Sequence, residues 1–156
     1  MKKTSIYVGS DHGGFDLKRE VVDMLSGDEK YVVYDMGPYD GKSVDYPHYA
    51  KSVSERVMNE GGFGILICGT GVGMSIVANK VRGIRAVLAH NEFVGEMGRR
   101  HNDANVLCLG ARVIGSALGL EIVKSFLSAE FEGGRHERRV SQFESDFENF
   151  GFYLGK

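Results

Sequence analysis

The stretch from Gly64 to Lys80, GILICGTGVGMSIVANK, constrains this chain more than any other. Ile65, Leu66 and Ile67 form a short continuous apolar run, the pattern of a strand buried on both faces of a parallel sheet. The run ends at Cys68, and glycines then alternate at Gly69, Gly71 and Gly73. From Met74 the pattern turns helical, with Met74, Val77, Ala78 and Val81 on one face. A thiol is therefore expected at the carboxyl end of a strand, beside a glycine loop that opens a helix. Ligands bind at that edge of open α/β sheets. The N–H groups of the loop and helix start would face an anion there.

The flanking sequence repeats the strand–helix alternation. Ser5 to Gly9 reads as a first strand, followed by the turn Ser10-Asp11-His12-Gly13-Gly14. Phe15, Leu17, Val21, Val22 and Leu25 recur at helical spacing, with Lys18, Arg19 and Asp23 on other faces. Tyr31 to Tyr34 is a second strand, closed by the turn signal Asp35-Met36-Gly37-Pro38. Pro47 suits the first turn of a helix running to about Asn59, with Ala50, Val53 and Val57 inward. Strands follow at Arg85 to Ala89 and Asn105 to Leu109, and helices at about Glu92 to Arg100, Ala117 to Leu127 and His136 to Phe150. This order predicts one α/β domain over residues 1–156, a three-layer α/β/α Rossmann-like arrangement around a five-stranded parallel sheet. Right-handed crossovers send every strand's carboxyl end to the same edge. Asp11, His12, Asp35, Cys68, His90 and Arg112 all follow strands and are expected near it.

Several function classes are disfavoured by composition. A net charge of −2 argues against nucleic-acid binding, which usually needs a strongly basic face. No apolar stretch approaches membrane-spanning length. Met1-Lys2-Lys3 resembles the charged start of a signal peptide, but Asp11 and His12 interrupt the apolar run too early for a secretory core. Two cysteines make no disulfide framework, so a cytoplasmic protein with reduced thiols is expected.

Each candidate residue has an ordinary explanation to overcome. A free cysteine is most often a small buried hydrophobe, and Cys108, inside its strand with no glycine loop behind it, fits that reading. Cys68 ends a strand, precedes glycines, and lies near a helix start that would stabilise its thiolate. Gly69-Thr70-Gly71-Val72-Gly73 is GxGxG and misses the dinucleotide spacing GxGxxG. Gly41-Lys42-Ser43 has the tail of a phosphate loop, but Met36 replaces its first glycine and Pro38 interrupts it. There is no HExxH, no CxxC and no His/Asp/Glu cluster within one helical turn, so no metal is expected. Arg135 and Arg139, four apart, point to one face of the last helix and would grip a phosphate. Paired with Glu132 and Glu137, they would be a solvated face. Phe143, Phe147 and Phe150 form an apolar stripe suited to core packing or a second subunit.

Taken together, Gly9-Ser10-Asp11-His12-Gly13-Gly14, Asp45-Tyr46-Pro47, Cys68 through Ser75, Ala78-Asn79-Lys80, His101-Asn102-Asp103-Ala104-Asn105-Val106 and Gly133-Gly134-Arg135-His136 resemble the RpiB/LacAB sugar-phosphate isomerase family. The likeness runs from about Ser5 to Arg139 and leaves Gly151 to Lys156 without a motif. It implies interconversion of D-ribose 5-phosphate and D-ribulose 5-phosphate through an enediolate, a step of the pentose phosphate pathway, with neither metal nor organic cofactor. Cys68 matches the family's proton-accepting cysteine, and His101 the histidine that donates a proton in sugar ring opening. Some members carry a glutamate base where Met74 stands, which makes this chain the cysteine type. Asp11, His12, Gly69, Thr70, Gly71, Val72, Gly73, Asn102, Arg112, Arg135 and Arg139 match ligand-binding positions, and Thr70 is also read as orienting the loop or the substrate hydroxyls. The resemblance further implies a homodimer or tetramer whose sites take residues from two chains. Galactose 6-phosphate and allose 6-phosphate are the rival substrates, and a phosphosugar sensor is the non-enzymatic alternative. The His-Asn-Asp triplet and the Gly-Arg-His-Glu-Arg-Arg segment favour the ribose enzyme.

Overall fold

The apolar runs become five strands in the computed structural model, which describes residues 2–145. They are β1 (Thr4–Ser10), β2 (Tyr31–Asp35), β3 (Phe63–Cys68), β4 (Ala86–Leu88) and β5 (Val106–Gly110). All four pairings are parallel and the order is β2-β1-β3-β5-β4. The expected five-stranded parallel sheet is present, but β5 inserts between β3 and β4, an order that local periodicity does not encode.

Among the described residues, α1 (Phe15–Ser26), α2 (Tyr46–Glu60), α3 (Val72–Ala78) and α4 (Glu92–Asn102) link successive strands, and α5 (Ser116–Ser128) and α6 (Arg135–Ser145) follow β5. The expected extension of the last helix to Phe150, with Phe147 and Phe150 in its stripe, lies outside the described residues. Among the described residues, no helix is long and apolar enough to cross a membrane.

The period-two alternation of strand side chains builds two apolar layers. Ile6, Val8, Ile65, Ile67, Leu107 and Leu109 meet Leu17, Val21, Ile122 and Phe126 of α1 and α5. Tyr7, Leu66, Cys68, Val106 and Cys108 face Ala50, Val53 and Val57 of α2 and Met74 and Ala78 of α3. The chain leaves β1 toward one face and β3 toward the other. Between these two neighbouring strands the loops diverge, and the resulting crevice is the usual ligand position in such sheets.

One residue departs from its sequence reading. Lys18 was expected off the apolar face of α1, yet its side chain is fully buried, with Nζ 2.6 Å from Asp35 Oδ1. It also lies 5.4 Å from the Phe15 ring and 5.6 Å from the Tyr39 ring. Asp35 Oδ1 accepts the Gly37 N–H at 2.9 Å as well, so this carboxylate is committed to the scaffold rather than to a ligand. Removing one member of a buried pair strands its partner's charge. Lys18→Met is expected to lower the unfolding free energy by about 2 kcal/mol, a modest loss because Asp35 keeps 31% of its side chain in solvent. A urea titration checks this, and an unchanged midpoint would mean that desolvation of the pair cancels its attraction.

Candidate active site

The local chain path explains how the carboxyl edge is assembled. Asp11 N–H donates to the Ile67 carbonyl at 3.1 Å, and Asp11 Oδ1 accepts the Gly14 N–H at 3.1 Å. A Cβ on Gly14 would collide with the Ile67 backbone, so only glycine lets this turn close against the end of β3. Val44 N–H donates to His12 Nδ1 at 3.2 Å, which puts the ring proton on Nε2 and leaves that nitrogen as a donor.

Beside this turn, Cys68 ends β3 with 5% of its surface exposed. The Gly71 N–H donates to Cys68 Sγ at 3.1 Å, so the sulfur is turned toward the glycine loop. Thr70 Oγ1 accepts the Val72 N–H at 3.3 Å. The first intrahelical bond of α3 is Ser75 N–H to Gly71 O, at 3.0 Å. The N–H groups of Gly73 and Met74 therefore have no acceptor within their own helix.

Protein neighbours are the immediate reason for the alternate glycines. Gly71 has φ +77°, and a Cβ there would meet Leu88 and the Leu109 backbone. At Gly73 it would lie 2.6 Å from the Tyr46 ring. Arg112 joins the same edge: its N–H donates to Gly69 O at 2.9 Å, and its Nη1 lies 3.1 Å from where a Gly69 Cβ would sit.

Cys108 contrasts with Cys68. It is wholly enclosed, and burial, with the neighbouring Cys68 second, pushes its thiol far above the ordinary range. Its structural reading stands.

A second cluster forms at the opposite edge. Helix α4 starts beyond the carboxyl ends of the strands and runs back, so His101 and Asn102 in its last turn lie where β5 begins. The His101 and His136 rings stack with centroids 4.2 Å apart and planes 5° from parallel. Glu132 Oε2 lies 3.9 Å from His101 Nε2 and 3.6 Å from His136 Nε2. Arg100 holds the other oxygen, with Nε 2.6 Å from Glu132 Oε1. That bond holds the Glu132 carboxyl below its usual range. Burial first, then His101 and Arg135, lower His136. Arg135 and Arg139 are exposed one turn apart on α6, which Arg85 ties down through Glu144 at 2.8 Å.

The expected residues thus fall into two groups. Asp11, His12, Cys68, Thr70, the glycine loop and Arg112 share the carboxyl edge; His101, Asn102, Arg135 and Arg139 do not. The Gly64–Val106 and Cys68–Gly110 register separates the two edges by four strand residues, about 13 Å. Asp35 is held by Lys18, and His90 follows β4, the edge strand, two strands from Cys68. Tyr46 and His136 stand inside quoted motifs but carried no expected role, and Glu132, expected beside the α6 arginines, pairs with Arg100 instead. It also found no cluster of possible metal ligands, because His101, Glu132 and His136 meet only through the packing of α4 against α6.

A crevice at the strand-order reversal, bordered by a thiol and backbone amides, is that of an α/β protein with a site suited to a small anionic ligand. The family described as Ribose/Galactose Isomerase matches residues 6–143, and the chain belongs to that family. Ribose-5-phosphate isomerase B of Escherichia coli (strain K12) is 49% identical over 141 residues, covering 90% of this chain and 93% of the relative. A solved structure of Clostridium thermocellum ribose-5-phosphate isomerase B matches with TM-score 0.90 and 48% identity over 94% of this chain and 99% of that one. Ribose-5-phosphate isomerase B from Mycoplasma genitalium, solved with ribulose 5-phosphate bound, matches with TM-score 0.90 and 39% identity over 95% and 99% of the two chains.

Proposed function

We propose that this chain interconverts D-ribose 5-phosphate and D-ribulose 5-phosphate, and that two copies together complete each site. The observation that carries the chemistry is the Gly71 N–H on Cys68 Sγ, which aims a sulfur base at the crevice. The Cys68 thiolate takes the C2 proton of the open-chain aldose, and the electron pair moves to make an enediolate. Moving the O2 proton to O1 and returning the carbon proton to C1 yields the ketose. Loop amides stabilise the developing oxyanion, a contribution often larger than any other. His101 donates the proton that opens the furanose ring, a task suited to imidazole near neutral pH. Arg135 and Arg139 clamp the phosphate, aided by His12 and Arg112, so that remote binding energy aligns the reacting carbons. Asp11, Thr70 and Asn102 bind the sugar hydroxyls.

A sugar phosphate cannot bridge about 13 Å of sheet within one chain, so His101 and the α6 arginines act on the partner's Cys68. Exposed apolar side chains support the pairing: Val72 and Ile76 on α3, Phe93 and Val94 on α4, and Val113 after β5 offer a surface for a second copy. The test is turnover of ribose 5-phosphate and galactose 6-phosphate by purified protein with EDTA present. Turnover of the pentose is expected to dominate; turnover confined to the hexose would overturn the substrate, and turnover of neither would favour a sensor.

A further inference from the structure

We propose that His101, Glu132 and His136 form a binding site for one divalent transition-metal ion of the Zn2+ type, which removes His101 from isomerisation when it binds. The inhibition rests on the proton-donor role given to His101 above; the binding does not.

Three separate segments supply the donors: the last turn of α4, the α5–α6 connection and the first turn of α6. One ligand atom from each lies within 4.8 Å of the others. The decisive group is His136. Only 6% of it is exposed, and its Nε2 has no hydrogen-bond partner. Glu132 Oε2, 3.6 Å away, is beyond hydrogen-bond range, as it is from His101 at 3.9 Å. A buried nitrogen aimed at a carboxylate it does not bond is short of a ligand.

The surroundings orient the carboxylate for that ligand. Arg100 occupies Glu132 Oε1 and leaves Oε2 toward the two imidazoles. The Glu132 N–H donates to Arg100 O at 3.0 Å, which fixes the backbone of the connection. Gly133 and Gly134, with φ +66° and +55°, then turn the chain so that Glu132 and His136 meet. Such outer contacts commonly position metal-binding carboxylates.

Two imidazoles and one carboxylate suit Zn2+ or Co2+, with a fourth position left for water. Tetrahedral bonds of about 2.1 Å place donors about 3.4 Å apart, so the Glu132 distances need only shorten by about 0.2 Å to His136 and about 0.5 Å to His101. The stacked rings must also tilt toward a common point. His101, with 37% of its side chain exposed, has room to do so.

The experiment titrates the untagged protein with Zn2+ against a chromophoric chelator, and with Co2+ read by its visible spectrum. One ion per chain is expected, with binding weakened at least about tenfold in Glu132→Gln and in His136→Gln. Glu132→Gln keeps the side-chain shape, so it serves if His136→Gln fails to fold. Cys68→Ala should retain the ion. Zn2+ should inhibit ribose 5-phosphate turnover reversibly to EDTA, with the half-inhibiting concentration rising in Glu132→Gln by the same factor as the dissociation constant. Isotherms unmoved in both variants, or lost in Cys68→Ala, would overturn the site. Binding at the triad without inhibition would uphold the site and remove His101 from the reaction.

Discussion

Cys68→Ala is expected to lower kcat for ribose 5-phosphate by about a thousandfold while KM changes by less than about threefold. With the proposed phosphate clamp made by Arg135 and Arg139, loss of the sulfur should fall on the chemical step rather than on binding. Position matters more than residue type here. Cys108 sits in the register position opposite Leu66, wholly enclosed, and burial keeps its sulfur protonated. Cys108→Ala should therefore retain kcat and cost about 1 kcal/mol of stability through a small cavity. A Cys68→Ala enzyme with unchanged kcat, measured beside that control, would remove the base.

Mixing two inactive chains should restore activity. If each site combines Cys68 of one chain with His101 of another, Cys68→Ala and His101→Ala protomers form mixed dimers holding one intact and one doubly defective site. Random exchange makes half the dimers mixed, so about a quarter of wild-type activity is expected after co-refolding. The prediction is geometric: the two groups lie at opposite edges of a sheet that spans about 13 Å between them along β3, whatever their individual chemistry. No recovery, with mixed dimers demonstrated by mass spectrometry, would show that both residues serve from the same chain.

The two halves of the candidate site differ in how far sequence could disclose them. Cys68 at a strand end beside glycines is a local pattern, and β3, the Gly71 contact and α3 lie where that pattern indicates. The one-turn spacing of Arg135 and Arg139 is equally local. By contrast, the distance from His101 to Cys68 depends on which way α4 runs and on the insertion of β5 between β3 and β4. Lys18 shows the same limit on a smaller scale. Its helical position suggested solvent, and only the approach of Asp35 at the end of β2 makes burial of the ammonium tolerable.

Sequence alone determined the five short apolar runs, their alternation with helices and the thiol–glycine junction, because strand and helix periods are written in residues a few positions apart. Tertiary structure decided the sheet order, the stacking of His101 on His136 beside Glu132, the contact of Tyr46 with the loop, and the division of the expected residues between two edges. Those features depend on segments far apart in the chain, whose meeting is set by crossover direction and by the packing of whole elements rather than by any neighbouring residue.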